Sequence, residues 1–231
     1  MTKRSKRYMA LQEKVDAEKS YSPQEAVDLL KEVCNVKFDE TVEIHLRTGA
    51  DPRHADQLVR GVTILPYGLG KQVRVLVFAN GEAAELARQA GADYVGEDDL
   101  IQQIEGGWTE FDVGLAVPDV MSKIGRLGRV LGRRGLMPNP RTGLPRIIEE
   151  ANKGRLEYRM DRTAIIHSPV GKISFPQSQL LGNTASVVDA VVKSRPAAVK
   201  GAYIRSAYLS SSMGPSVKLD LTSLLALKPD A

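Results

Sequence analysis

Apolar and polar positions alternate with a period of two at both ends of the chain. Within Phe38–Thr48, every second residue from Val42 onward is apolar or small, and most residues between are polar or charged. This pattern predicts a strand with one buried face and one polar face. The alternation returns at Leu156–Met160, at Tyr203–Leu209 and at Val217–Leu221. A Ser- and Gly-containing turn separates the last two segments, so they predict a β-hairpin.

Two amphipathic helices accompany these strands. Ser22, Pro23 and Glu25 form a capping box with proline at the first helical position, which predicts a helix running to about Cys34. A second helix is predicted over residues 176–194, where apolar residues cover a broad face and Pro196 follows. The two ends of the chain therefore predict an α+β fold.

The pattern changes in the middle of the chain. Val73–Ala79 is a nearly continuous apolar run, as in a strand covered on both faces. Strands and helices then alternate, with helices predicted at Glu82–Ala90 and Asp98–Glu105 and further strands at Asp93–Val95 and Asp112–Val117. Short connections between such elements predict a small parallel sheet with helices on its faces.

The fold class predicted is α/β with two domains. Residues 1–67 and 160–231 would form a split α+β domain built from both chain ends. Residues 68–159 would form an inserted, Rossmann-like α/β domain with three layers. The chain has 231 residues, which suits either one large or two small domains, and the change in periodicity favours two.

Composition excludes several classes of protein. The formal net charge is +4, and Cys34 is the only cysteine, so there is neither an intrachain disulfide nor a cysteine cluster for zinc. No apolar run approaches the roughly 20 residues of a membrane span. Residues 2–7 are basic without a following apolar region, unlike a secretory signal. This lead-in is either a solvated tail or an RNA contact.

The positive charge is concentrated between Lys123 and Arg146, a segment without Asp or Glu. Wound as a helix, residues 124–133 place an apolar stripe opposite arginines, with glycines between the two. The glycines would allow close approach of another element or of a phosphate. Prolines after Gly135 predict a basic loop. The segment is either a solvated basic face or a surface for polyanions. Its cations are Lys123, Arg126, Arg129, Arg133, Arg134, Arg141 and Arg146, and the first six are the candidates for a secondary RNA or tRNA contact.

The sequence GRLGRVLGRRGLMPNPR, from Gly125 to Arg141, resembles the signature of a universal family, large-subunit ribosomal protein one, in its bacterial form. Arg133 stands where a proline is common and Arg141 where a lysine is common, and both changes keep or add positive charge. The resemblance extends from about Tyr8 to about Leu221.

A second matching segment is Ser212–Pro215, where relatives commonly have threonine in place of Ser212. A hydroxyl, a methionine and a glycine suit RNA, although the pattern alone is more typical of a hairpin turn whose Met213 packs on its neighbours. The resemblance implies an rRNA site on the split domain formed by Lys37, Phe38, Thr41, Glu43, Ser206, Ser212, Met213 and Gly214. From the pattern alone, Phe38 is more typical of a core residue than of a stacking platform.

The resemblance also implies the function and the partners. The chain would be a non-enzymatic, monomeric constituent of the large ribosomal subunit, in the cytoplasm or in a plastid stroma. It would bind the rRNA of the mobile stalk, assist release of deacylated tRNA from the E site through the arginine segment, and repress its own mRNA. It would need no cofactor, metal or membrane. Two alternatives are a nucleotide-dependent enzyme built on the central α/β unit and a nucleic-acid chaperone acting by charge alone.

Overall fold

A computed structural model describes residues 5–140 and 143–229, apart from the side chains of residues 139, 140 and 152. The strands are β1 Thr41–Thr48, β2 Arg60–Ile64, β3 Val75–Phe78, β4 Tyr94–Gly96, β5 Val113–Ala116, β6 Asn139–Pro140, β7 Arg155–Arg159, β8 Ile165–Lys172, β9 Ile204–Ser211 and β10 Val217–Leu219. The α-helices are α1 Lys6–Gln12, α2 Pro23–Val33, α3 Gly81–Gln89, α4 Asp98–Glu105, α5 Met121–Ile124, α6 Gly128–Arg134, α7 Leu144–Asn152, α8 Gln177–Lys193 and α9 Leu221–Ala226. The mixed α/β class predicted from the sequence is confirmed.

The chain divides into two compact units. One holds the described residues up to Gly70 and from Arg155 onward, and the other is Lys71–Gly154. The first limit was predicted at residue 67 and is observed at Gly70, and the second was predicted at residue 160 and is observed at Arg155. That the units behave as separate domains stays a prediction.

The first unit is built on a four-stranded antiparallel sheet in the order β10-β9-β1-β8. Val42, Ile44 and Leu46 of β1 are fully buried on one face, as the alternation predicts, and α2 and α8 pack there. The predicted capping box is present at the start of α2, where the Glu25 N–H donates to Ser22 Oγ at 3.3 Å. On the opposite face, β1 carries the polar side chains of Thr41, Glu43, His45 and Arg47.

A buried asparagine connects α8 to the sheet. Asn183 is completely buried, and its amide donates to the carbonyls of Gly68 and Val170, each at 2.8 Å. Its oxygen accepts the Tyr67 N–H at 3.1 Å. The strands β2 and β7 form a separate antiparallel pair in this unit.

The second unit contains a parallel sheet in the order β4-β3-β5-β6. All four residues of β3 are fully buried because helices cover both faces of the sheet. One core cluster includes Ile101 of α4 and Leu131 of α6, and the other includes Ala87 of α3 and Ile148 of α7. Within the described residues, each helix is too short or too polar to cross a membrane.

Several predicted elements differ from the observed ones. The strand predicted from Phe38 begins only at Thr41, where the pairing of β1 with β8 starts opposite Lys172. The basic segment is two α-helices joined by a 3-10 turn, Gly125–Leu127, rather than one helix.

Two helices were not predicted, because each begins within a segment that the sequence assigned to a loop or a strand. The predicted basic loop ends at α7, in which Pro145 occupies an early position that needs no N–H donor. Leu221, predicted in a strand, begins α9, because the Asp220 carboxylate accepts the Ser223 N–H at 2.8 Å and caps the helix.

Candidate nucleic-acid interface

Two segments far apart in sequence meet at the start of β1. The Thr41 N–H donates to Ser212 Oγ at 3.2 Å, and the Ser212 N–H donates to the Thr41 carbonyl at 3.1 Å. The Met213 N–H donates to Glu40 Oε2 at 3.0 Å. These bonds hold the turn after β9, named here the 212–214 turn, against residues 40–41. The structure therefore brings together two of the segments that the sequence nominated.

Glu40 and Gly214 explain why the turn takes this shape. Glu40 is 1% exposed, and besides the Met213 N–H its carboxylate accepts the Cys34 thiol at 3.5 Å. The Gly214 N–H donates to the Ser211 carbonyl at 3.2 Å. A Cβ at Gly214 would overlap the Ser211 hydroxyl, so glycine gives the close approach that this turn requires.

The apolar side chains at this site face solvent. Phe38 is 54% exposed and Met213 is 47% exposed, and Lys37 is exposed beside them. The interpretation of Phe38 as a core residue is therefore wrong, whereas Met213 has about half of its surface covered and half in solvent. Exposed aromatic and thioether groups next to hydroxyls offer surface against which bases or sugars can lie.

The remaining nominated residues lie on the polar face of the four-stranded sheet. Thr41 and Glu43 are half-buried on β1, and Ser206 is half-buried on β9. Glu43 lies opposite Ser210, and Ser206 lies opposite Arg47. The polar face thus runs from the 212–214 turn, past Glu43, to Ser206.

Lys172 adds a cation to this face that was not nominated from the sequence. Its Nζ donates to Thr41 Oγ1 at 2.9 Å and to the Asp39 carbonyl at 3.4 Å. The strand pattern gave little sign of it, because its position opposite Thr41 depends on the register of β1 with β8.

Arg7 in α1 is a second residue that the sequence left undecided. Its guanidinium donates to the Met213 carbonyl and to Asn35 Oδ1, each at 2.9 Å. An open cleft of about 420 Å³ lies between α1 and the 212–214 turn. Its lining residues are Ser5, Arg7, Tyr8, Ser212, Met213 and Gly214. Ser5 and Arg7, at the end of the basic lead-in, therefore lie beside the turn, whereas residues 2–4 lie outside the described residues.

Two histidines form a pair in the middle of the polar face. His45 Nδ1 and His167 Nδ1 are 2.8 Å apart, and the two rings meet edge-on with centroids 4.9 Å apart. His45 Nε2 lies 2.8 Å from Ser210 Oγ, and His167 Nε2 lies 3.7 Å from Asp161 Oδ2. Burial, and then the neighbouring His167, lower the pKa of His45.

The arginine segment lies in the second unit, and part of its charge is already paired. Lys123 Nζ lies 2.6 Å from Glu97 Oε1, and Arg126 Nε lies 3.1 Å from Glu105 Oε1. The hydrogen bond to Glu97 raises the pKa of Lys123. Arg134 donates to the Thr109 hydroxyl.

Arg129 and Arg133 differ from these residues. Both are exposed, and neither has an ion-pair partner among the residues that the structure describes. Arg141 lies outside the described residues. The apolar stripe behaves as predicted, since Ile124, Leu127 and Leu131 are buried.

The glycines of the segment do not serve a neighbouring element. A Cβ placed at Gly125, Gly128 or Gly132 would meet nothing within 4 Å. We predicted that these glycines allow another part of the protein to approach closely, and the described residues contain no such contact. Close approach of a phosphate stays a prediction.

Within the described residues, no group of three His, Cys, Asp or Glu side chains is placed to hold a metal. The exposed site instead joins an aromatic ring, a methionine, hydroxyls and cations on a sheet face. This chemistry defines a nucleic-acid-binding class of protein.

Comparison with known proteins gives the family. The chain matches the model of the ribosomal protein L1p/L10e family over residues 30–215, and it belongs to this family. A large ribosomal subunit protein uL1 of Dehalococcoides mccartyi is 51% identical over 234 residues, which cover 98% of this chain and 99% of the relative. The large ribosomal subunit protein uL1 of Thermomicrobium roseum is 52% identical over 231 residues, which cover 96% of each chain. The family consists of structural ribosomal proteins, so this chain is not an enzyme.

Proposed function

We propose that this protein is a structural constituent of the large ribosomal subunit in the cytoplasm, or in the stroma if it is a plastid protein. Its first unit would bind the rRNA of the mobile stalk, and its second unit would contact deacylated tRNA as that tRNA leaves the E site. The two compact units would be the two domains that divide these roles. The protein would also repress its own mRNA by binding a leader that resembles the stalk.

One observation carries the rRNA proposal. Residues 37–43 and the 212–214 turn are joined by three hydrogen bonds of 3.0–3.2 Å, and both leave an apolar side chain in solvent. Such a preformed surface avoids much of the ordering cost of binding. Shape and stacking can then contribute specificity, while Lys37, Lys172 and Arg7 supply charge for phosphates.

The test is the affinity for a stalk rRNA fragment and for an unrelated duplex RNA, measured across a salt series. We expect strong preference for the stalk fragment, and a loss of at least about tenfold for Met213→Asp, because a carboxylate at this position repels phosphates and removes the apolar contact.

Leu58→Asp is the matched control, since Leu58 is 50% exposed in the same unit and gains the same charge on another loop. Equal losses of affinity in the two variants would show that the added negative charge alone accounts for the effect. Indifference to RNA identity, with a salt slope near −0.9 per phosphate neutralised on duplex, would contradict the proposal and favour a chaperone acting by charge.

The proposed tRNA contact depends on the unpaired arginines. Arg129→Gln combined with Arg133→Gln should weaken binding of deacylated tRNA and lower the salt slope by up to about two phosphate contacts. Arg146→Gln serves as the control, because its Nε already lies 3.0 Å from Glu150 Oε1. An unchanged slope in the double variant would contradict a tRNA contact at this surface.

Repression has a separate test. The protein should bind its own leader RNA more tightly than unrelated RNA of equal length, and Met213→Asp should weaken this binding as it weakens binding to the stalk. Equal affinity for the leader and for unrelated RNA would remove repression from the proposal.

A further inference from the structure

A row of side chains crosses the whole sheet at the level of His45. Lys218 of β10 lies opposite Tyr208 of β9, Tyr208 lies opposite His45 of β1, and His45 lies opposite His167 of β8. With neighbouring strands about 4.8 Å apart, this row spans roughly 14 Å. It carries a cation, a phenol and two imidazoles on the polar face.

The row lies between two residues of the proposed rRNA site. Glu43 precedes His45 by two residues, and Ser206 lies opposite Arg47, two residues beyond His45. Positions 43 and 47 are about 13 Å apart along the strand. An RNA that contacts both Glu43 and Ser206 therefore crosses this row between His45 and Tyr208, and His167 lies on the neighbouring strand β8.

The geometry of the pair limits its protonation. A contact of 2.8 Å between two Nδ1 atoms needs one atom to carry a hydrogen and the other to offer a lone pair. The contact can exist when the pair is neutral or carries one extra proton. It cannot survive a second extra proton, because both Nδ1 atoms would then be donors.

The first extra proton is best held on the His167 side. His167 is the more exposed ring, and the Asp161 carboxylate lies beside its Nε2. His45 is half-buried and can donate from Nε2 to the Ser210 hydroxyl while its Nδ1 accepts. The other charged or titratable groups that face the pair from the adjoining strands are Glu43 and Arg47 of β1, Tyr208 of β9 and Lys218 of β10.

We propose that His45 and His167 act together as a protonation-dependent RNA contact that takes up one proton when the RNA backbone lies over the sheet. The inference rests on the proposed rRNA binding and adds its regulation by pH. A phosphate near the pair favours the singly protonated form, so bound RNA and the extra proton stabilise one another. Affinity for RNA then rises as the pH falls.

The experiment measures the affinity for the stalk rRNA fragment between about pH 8 and about pH 6, where imidazole titrates. Uptake of one proton allows at most about a tenfold gain per pH unit, and we expect a gain of about three- to tenfold over this range. His167→Gln should abolish the gain, since its amide can still donate to His45 Nδ1 but cannot titrate.

His54→Gln is the matched control. His54 is the remaining one of the three histidines of the chain, lies in the loop before β2, and has its Nε2 4.0 Å from Asp51 Oδ2. This variant should keep the full gain. Thermal unfolding of each variant checks that the fold is intact, and the imidazole NMR signals of the protein without RNA should show that His45 and His167 are coupled.

The outcomes distinguish this inference from the proposed function. If the wild type prefers stalk RNA but shows no pH dependence, or if His167→Gln keeps the gain, the inference is wrong and the rRNA proposal stands. Independent titration of the two histidines also overturns the inference. If the wild type shows no preference for stalk RNA at any pH, both fall.

Discussion

Replacing the buried Glu40 tests how the 212–214 turn is held. Glu40→Ala removes the acceptor of the Met213 N–H, a charge-assisted hydrogen bond of 3.0 Å, and of the Cys34 thiol at 3.5 Å. A hydrogen bond to a charged group is worth about 1.5–3 kcal/mol. Water can reach part of the turn, since Met213 is 47% exposed, so the loss should lie near the middle of this range. We expect a decrease of about 2 kcal/mol in the free energy of unfolding.

Glu40→Gln provides the control for this prediction. The amide oxygen of glutamine can still accept the Met213 N–H, so this variant should lose less than about 1 kcal/mol. Urea unfolding followed by far-UV circular dichroism measures both variants. Because Trp108, the only tryptophan, lies in the second unit, its fluorescence does not report directly on this site.

The same variants should also differ in RNA binding. Without the Glu40 carboxylate the turn is no longer tied to residue 40, so Glu40→Ala should bind the stalk rRNA fragment more weakly than Glu40→Gln. A stability within about 0.5 kcal/mol of wild type for Glu40→Ala, the usual range of a neutral surface substitution, would refute the reasoning. So would equal damage from the two substitutions.

Two further predictions concern stability. Asn183→Ala removes three buried hydrogen bonds, to the Tyr67 N–H and to two backbone carbonyls, so it should lower the free energy of unfolding by about 3 kcal/mol. A loss below about 1 kcal/mol in urea unfolding would contradict this. Burial raises the pKa of Asp112, but hydrogen bonds from Lys71 and Arg74 outweigh it and hold the pKa below the ordinary value. The ionised carboxylate therefore stabilises the fold fully when the pH is above the ordinary pKa, and this stabilisation is lost as the pH falls through the lowered pKa. Asp112→Asn should lose less thermal stability on acidification than wild type does. An acid dependence equal to that of wild type would refute this prediction.

The sequence alone was sufficient for most of the fold. Alternation with a period of two located β1, β7, β9 and β10, because one face of each strand is buried and the other is not. The continuous apolar run identified β3, which helices cover on both faces. The capping box placed the start of α2, since its hydrogen bonds join residues only three apart. The arginine segment and the 212–214 turn were likewise recognisable as local motifs.

Tertiary structure decided what depends on register and on distant contacts. Phe38 could not be assigned to solvent, because the fate of a single apolar residue depends on which partner reaches it. The tie between Glu40 and Met213, the contact of Arg7 with the turn and the pairing of His45 with His167 join residues more than a hundred positions apart. The periodicity of each strand fixes which side chains share a face, whereas the register between strands fixes which of them touch.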